Sequence, residues 1–206
     1  MPGDMRATLE QHALQLVREN GPRAFTMADL SRRAGVSVAA PYKHFADKQA
    51  VLRSLAVRGA RVERDRIINA MAAEETPEAK LIAFARAIVR FSSEDRALFE
   101  TARLPDQERN RSDEASRYSD EVDAAVLAAA YPYGESDPER LDLVTRVRAA
   151  ARGVADFREQ GALHPGRDSL ADAEDMVERI VQALLVDVAP TALRADNAAP
   201  SKMSTG

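Results

Sequence analysis

The stretch Met27–Phe45, MADLSRRAGVSVAAPYKHF, constrains the fold more than any other part of the chain. Leu30 and Ala34 lie one helical turn apart, which predicts a short amphipathic helix. Gly35 can adopt the left-handed conformation that ends a helix, and Ser37 can cap the helix that follows. Two short helices joined by a tight turn with Gly make a helix-turn-helix, whose second helix enters the major groove of DNA.

The second helix of this motif carries side chains that suit contact with DNA. Val38 and Ala39 have no hydrogen-bonding side chains, so apolar contact with thymine methyl groups would be their means of readout. Pro41 costs a backbone hydrogen bond, which the first turn of a helix tolerates. We expect the base edges to be contacted by Ser37, Val38, Ala39 and Lys43, and the phosphates by Thr26, Tyr42, His44 and Lys48. The alternative is a helical hairpin that touches no nucleic acid.

About the first 60 residues resemble the DNA-binding domain of the TetR family of transcriptional regulators. The resemblance rests on three segments, TLEQHALQLVRENG, FTMADLSRRAGVS and YKHFADKQAVL. The chain departs from the family at Pro41, where Leu or Ile is frequent, and at Val38, where Lys or Arg is frequent. The segments FARAIVRFSSEDRALFE and AAARGVADFREQGAL resemble a subgroup with a WHG regulatory domain, although Arg152 stands where its signature His would fall.

The distribution of charge fits a protein that meets DNA at one end. Residues 1–60 hold nine Lys or Arg and five Asp or Glu, whereas the remainder holds 20 and 28, for a net charge of −4. An acidic chain of this kind is not a general DNA coater. No apolar run approaches the roughly 18 residues of a membrane span, and no signal peptide is evident. We therefore expect a cytoplasmic protein with no membrane partner.

An enzymatic function has little support in the sequence. The chain has no Cys and only three His, and no pair of His lies at a metal-binding spacing. No Gly-rich loop for a phosphate group is present. We expect a non-enzymatic protein with no cofactor, no metal and no catalytic residue.

Apolar residues recur at three- and four-residue steps along the chain, without sustained alternation. The pattern predicts an all-α protein of about nine helices, with an N-terminal three-helix domain and a C-terminal helical bundle. We place the helix-turn-helix DNA-binding domain at 1–48, a helical ligand-binding and dimerisation domain at 49–189, and a disordered tail at 190–206.

The last two predicted helices, 138–160 and 169–188, are long and amphipathic. They can pack within one subunit or pair with their copies as a four-helix bundle, and the family resemblance implies the second. A homodimer would hold two recognition helices about 34–36 Å apart on a pseudo-palindrome. The predicted interface consists of Val144, Val147, Ala151, Val154, Val177, Ile180, Val181 and Leu184. The alternative is an ordinary intramolecular core.

An apolar cluster in the middle of the chain is either a ligand cavity or simple core. Its members are Phe84, Ile88, Phe91, Phe99, Tyr118 and Val122. If the cluster lines a cavity, the family resemblance implies a repressor that binds a double-stranded DNA operator. An unidentified small-molecule effector would bind the cavity and release the repressor from the DNA. With a filled core, it would be a ligand-free or partner-controlled DNA-binding protein whose C-terminal half serves only dimerisation.

Overall fold

A computed structural model describes residues 5–102, 113–163, 166 and 168–188 of the chain. These residues form eight α-helices and two short 3-10 helices, and none of them lies in a strand. The prediction of an all-α protein is thus confirmed. Among the described helices, none combines the length and the apolar character needed to cross a membrane.

The helices follow one another along the chain with short connections. They are α1 (Met5–Asn20), α2 (Met27–Ala34), α3 (Lys48–Ala72), α4 (Pro77–Glu94), α5 (Arg96–Ala102), α6 (Asp113–Ala130), α7 (Asp137–Glu159) and α8 (Leu170–Val188). The two 3-10 helices are Pro41–Lys43 and Tyr131–Tyr133. The predicted tail, residues 190–206, lies outside the described residues.

The described residues group into two compact units that do not follow chain order. The first unit comprises residues 5–67, 90–102 and 113–122, and the second comprises 68–89, 123–163, 166 and 168–188. Helices α3, α4 and α6 each contribute residues to both units. The predicted domain boundary at residue 48 falls within the first unit, because α3 belongs to it as far as residue 67.

The core of the first unit is built around α1, which contacts α2 and α5. Leu9 and Ala13 on α1 have no exposed surface, and neither has Leu30 on α2. The rings of Phe91 and Phe99 meet edge to face with centroids 5.9 Å apart, a geometry that adds about 0.5–1.5 kcal/mol to burial alone. Helix α2, which belongs to this core, also contacts the 3-10 helix Pro41–Lys43.

The core of the second unit is the apolar seam between α7 and α8. It is lined by Leu143, Val144, Val147, Ala151, Val154, Ala173, Val177, Val181 and Leu185, all at most 5% exposed. The sequence-based dimer interface includes six of these residues: Val144, Val147, Ala151, Val154, Val177 and Val181. These six are already buried within the single chain, where α7 packs on α8, so a contact with a second copy through them stays a prediction. Ile180 and Leu184 are half-buried.

Candidate DNA-binding surface

Two caps fix the ends of α2, the first helix of the predicted motif. Thr26 Oγ1 accepts a hydrogen bond from Asp29 N at 3.2 Å, and Thr26 N donates to Asp29 Oδ2 at 3.0 Å. Hydrogen bonds from the Thr26 side chain and backbone lower the pKa of Asp29 below its ordinary value of 3.8. At the other end Gly35 is left-handed, with φ 66°, and Val36 N donates to Ser31 O at 3.1 Å. The predicted helix and its Gly stop are therefore present.

The segment after α2 is not the α-helix that the sequence predicts. Residues 38–40 form a turn, and only Pro41–Lys43 are helical, as a single 3-10 turn. The second helix of the motif is therefore present only as this 3-10 turn, and it does not begin at Ser37 as predicted. Pro41 has no N–H to donate to the Ser37 carbonyl four residues before it. That carbonyl accepts from Ala40 N at 2.9 Å instead, which tightens the backbone.

We call residues 37–44 the exposed turn, since it presents most of its side chains to solvent. Val38 is 64% exposed and Tyr42 is 52% exposed. The exposed side chains are those of Ser37, Val38, Ala39, Tyr42 and Lys43. Pro41 and Phe45 point inward and are buried. The structure thus brings five of the eight predicted DNA-contacting residues together on one short outward-facing segment.

The other three predicted contacts have additional partners within the protein. Thr26 is exposed, but its hydroxyl caps α2. The backbone carbonyl of half-buried His44 accepts a hydrogen bond from Arg6 Nη1 at 3.1 Å. Lys48 Nζ donates to the Arg23 carbonyl at 2.5 Å and lies 5.0 Å from the centroid of the Phe25 ring. Lys48 therefore holds the loop before α2, whatever it also does at DNA.

Two arginines near the end of α2 and one lysine of the exposed turn carry positive charge. Arg32 pairs with Asp29, and Arg33 Nη2 lies 2.6 Å from Glu19 Oε2. Exposed Lys43 forms no ion pair with another described residue. Surface ion pairs of this kind contribute little to stability, so a phosphate group can compete for the arginines. The first unit thus carries exposed cations both on α2 and on the exposed turn.

The six residues of the predicted ligand cluster are divided between the two units. Phe84 and Ile88 are buried in the second unit, whereas Phe91 and Phe99 pack on each other in the first. Half-buried Tyr118 donates through its hydroxyl to Glu114 Oε1 at 3.0 Å, and this hydrogen bond raises the pKa of Tyr118. Val122 is 7% exposed.

A groove of about 390 Å³ opens in the second unit. It is lined by Pro132, Tyr133, Gly134, Glu135, Glu139, Asp142, Arg146 and Val188. None of the six predicted ligand-contacting residues belongs to it. Burial raises the pKa of Tyr133 in this groove, with a smaller contribution from Glu78.

Two family models match the chain. One, described as bacterial regulatory proteins of the tetR family, matches residues 11–55. The other, described as a tetracyclin repressor-like C-terminal domain, matches residues 81–184. Neither description separates the WHG subgroup, which stays a prediction. No protein in the comparison with curated sequences matches the chain.

Several solved structures share the fold. A protein of unknown function from Rhodococcus sp. RHA1 is 23% identical, with a TM-score of 0.75 over 91% of this chain and 97% of that one. The TetR family transcriptional regulator PfmR from Thermus thermophilus is 20% identical, with a TM-score of 0.62 over 86% and 96%. The fatty acid degradation regulator FadR from Bacillus halodurans is 18% identical, with a TM-score of 0.62 over 90% and 96%.

Proposed function

The chain belongs to the TetR family of DNA-binding bacterial transcriptional regulators, and on this premise we propose that it is a dimeric repressor. It holds a pseudo-palindromic operator and leaves it when a small-molecule effector binds the helical body. The observation that carries the proposal is the exposed turn, with five candidate DNA-contacting side chains outward and Pro41 and Phe45 inward. Because an operator lies on the chromosome, we place the protein in the cytoplasm.

The eight candidate DNA-contacting side chains divide into two roles. Ser37, Val38, Ala39 and Lys43 face base edges, with Val38 and Ala39 reading thymine methyl groups by apolar contact. The phosphates are held by Thr26, Tyr42, His44 and Lys48. Exposure of Val38 and Tyr42 supports this division, since neither side chain has to leave a core to reach a duplex. The 3-10 geometry makes the reading element short, so few bases are read by each copy.

A short reading element gives a physical motive for a dimer. Two copies related by a two-fold axis read twice the sequence, with half-sites about 34–36 Å apart. Ile180 and Leu184 lie one turn apart on α8 and are half-buried in the single chain. We place the contact with a second copy there, because the neighbouring positions Val177 and Val181 are already used inside the chain.

An effector acts only through its different affinities for the DNA-bound and the released state. In this proposal it binds the helical body and changes the distance between the two exposed turns. The close packing of Phe91 on Phe99 favours a second candidate function. In that alternative the helical body has a filled core, binds no effector and serves only dimerisation. DNA binding is then either controlled by a partner or not controlled at all.

Selection of bound sequences from a random double-stranded DNA library tests the proposal. The wild-type chain is expected to enrich an inverted repeat whose half-sites are one helical turn apart, about 10–10.5 base pairs. The matched control carries Tyr42→Ala and Lys43→Ala, two exposed changes that leave the core intact and should abolish enrichment. An absence of enrichment by the wild type would contradict DNA recognition, and a single unrepeated half-site would contradict the dimer.

A further inference from the structure

We infer that Arg6 is a positioning residue for the exposed turn. Its guanidinium holds the end of that turn, so that Val38 and Lys43 meet DNA in one fixed register. The inference rests on the proposed function of the turn and adds a residue to it on α1. In the sequence Arg6 looks like any solvated cation on a polar helix face.

The guanidinium of Arg6 contacts two consecutive residues where the exposed turn ends. Nη1 donates to the His44 carbonyl at 3.1 Å, and Cζ lies 4.5 Å from the centroid of the Phe45 ring. The first contact is a charge-assisted hydrogen bond, and the second is a cation–π contact. Together they fix both the backbone and the buried side chain at this point.

The guanidinium is itself held from two helices. Arg6 Nε lies 3.4 Å from Glu10 Oε1 on α1, and Arg6 Nη2 donates to Ser54 Oγ on α3 at 3.4 Å. The Ser54 hydroxyl donates in turn to Glu10 Oε1. Because three side chains share one hydrogen-bonded network, the position of the guanidinium relative to α1 and α3 is defined.

Among the described residues, the backbone-to-backbone hydrogen bonds of the exposed turn join its own residues and Phe45, so they do not tie it to another helix. Its helical part is one 3-10 turn, and its inward anchors, Pro41 and Phe45, are apolar. Apolar burial is not directional, so it holds the turn down without fixing its rotation. A hydrogen bond to the His44 carbonyl does fix the rotation, because its geometry weakens steeply away from a straight line.

A direct contact between Arg6 and a DNA phosphate is the competing explanation, since this side chain is 48% exposed. The two explanations differ in what they change. A phosphate contact contributes to all DNA alike and to the salt dependence of binding. A positioning contact contributes to the preference for the operator over other DNA, because it acts through side chains that read bases.

The test compares Arg6→Ala with Arg18→Ala. Arg18 is a matched control, since it lies on the same helix, is 46% exposed and contacts Asp95 at 3.9 Å rather than the turn. Affinity for the selected operator and for unrelated DNA is measured against salt for the wild type and both variants. Arg6→Ala is expected to lower the ratio of operator to unrelated affinity about 10- to 100-fold, the worth of a hydrogen bond to a charged group. Arg18→Ala is expected to leave the ratio unchanged.

Arg6→Lys separates positioning from a loss of folding. Lysine keeps one donor for the His44 carbonyl and the cation over Phe45, but loses the fork to Ser54. We expect it to fold and to recover part of the lost ratio.

Three outcomes overturn the inference and leave the proposed function intact. The first is an equal ratio of operator to unrelated affinity for Arg6→Ala and Arg18→Ala, and the second is a uniform loss of affinity for both DNAs with a salt slope reduced by about one. The third, if Arg6→Ala does not fold, is a wild-type ratio for Arg6→Lys. A wild-type chain that prefers no sequence overturns the proposed function and the inference with it.

Discussion

The exposed turn and the α7–α8 pair are held in place by different kinds of interaction. Residues 37–44 contain one 3-10 turn, and the carbonyl near their end is held by a cation from α1. Helices α7 and α8 are 23 and 19 residues long and are joined by an apolar seam at most 5% exposed. The first region depends on charge and on single hydrogen bonds, whereas the second depends on buried area.

On the proposed function, this difference separates the residues that bind DNA from those that stabilise the fold. Apolar seams are stabilised in proportion to area and change little with salt, whereas contacts between cations and phosphates weaken as salt rises. A change at the exposed turn should therefore alter binding with little effect on folding. A change in the α7–α8 seam should do the reverse, and the predictions below test that separation.

Salt is expected to have the largest effect, and only on the exposed turn. If a dimer neutralises about 6–10 phosphates, operator affinity falls about 10³–10⁵-fold between 50 and 200 mM salt. The free energy of unfolding should change far less over the same range, since the seam is uncharged. Fluorescence anisotropy and denaturant titration measure the two quantities. A flat binding response would break the comparison.

Truncation of a seam residue is expected to have the largest effect on stability. Leu143 is fully buried on α7, so Leu143→Ala should lower the free energy of unfolding by about 2–5 kcal/mol. Leu141, two residues earlier, is 56% exposed, and Leu141→Ala should stay within about 0.5 kcal/mol. Denaturant unfolding of both variants gives the difference. Similar losses for the two would mean that the seam is not the source of stability.

Two helical glycines are expected to respond with opposite signs. A Cβ on Gly59 of α3 would lie 3.0 Å from the backbone oxygen of Leu98, whereas Gly153 of α7 has open space around that position. Gly59→Ala should therefore cost about 1–3 kcal/mol of unfolding free energy, and Gly153→Ala should add about 0.5–1 kcal/mol. Thermal melting distinguishes them. Stabilisation by Gly59→Ala would show that α3 and α5 do not cross this closely.

Acid is expected to act on one helix cap in each unit, with the smallest effect. Hydrogen bonds from Thr26 lower the pKa of Asp29 below 3.8, and those from the backbones of Glu135 and Ser136 lower the pKa of Glu139 below 4.5. A lowered pKa in the folded protein means that folding favours the charged carboxylate. Each cap therefore stabilises the fold when the pH is above the ordinary pKa of its carboxyl group. That stabilisation is lost as the pH falls through the lowered pKa of the folded protein.

The measurement is unfolding free energy between pH 7 and pH 2.5 for the wild type, Asp29→Asn and Glu139→Gln. Each variant should be less stable than the wild type at neutral pH, and the gap should close below about pH 4. A gap that stays constant down to the lowest pH would show that the carboxylate charges do not stabilise these caps.

The regular helices could be predicted from the sequence because their information is local. Helix α7 begins and ends within one residue of the predicted 138–160, and α8 begins one residue after the predicted 169 and ends at the predicted 188. The turn around Gly35 was also predictable, since Gly readily adopts the left-handed conformation that ends many helices, and Gly35 has φ 66°. Such features depend on residues a few positions apart, where periodicity and caps are direct evidence.

The parts that could not be predicted depend on distant partners or on a single backbone atom. Arg6 and His44 are 38 residues apart, and Lys48 and Arg23 are 25 apart, so no local pattern reveals either contact. The second helix of the motif, expected to begin at Ser37, is limited to one 3-10 turn at Pro41–Lys43. The α7–α8 seam looks the same in sequence whether its partner is another helix of the chain or a second copy.

The most direct test of the claim that the exposed turn reads DNA replaces one valine by glutamine in each of the two regions, in separate variants. Val38 on the exposed turn is 64% exposed and Val186 on α8 is 61% exposed, so Val38→Gln and Val186→Gln replace equally accessible side chains. Glutamine can form paired hydrogen bonds with adenine, which valine cannot. In selection from a random DNA library, Val38→Gln should change the preferred base at two symmetric positions, and Val186→Gln should select the wild-type sequence. Selection of the wild-type sequence by Val38→Gln would contradict the claim that the exposed turn reads DNA.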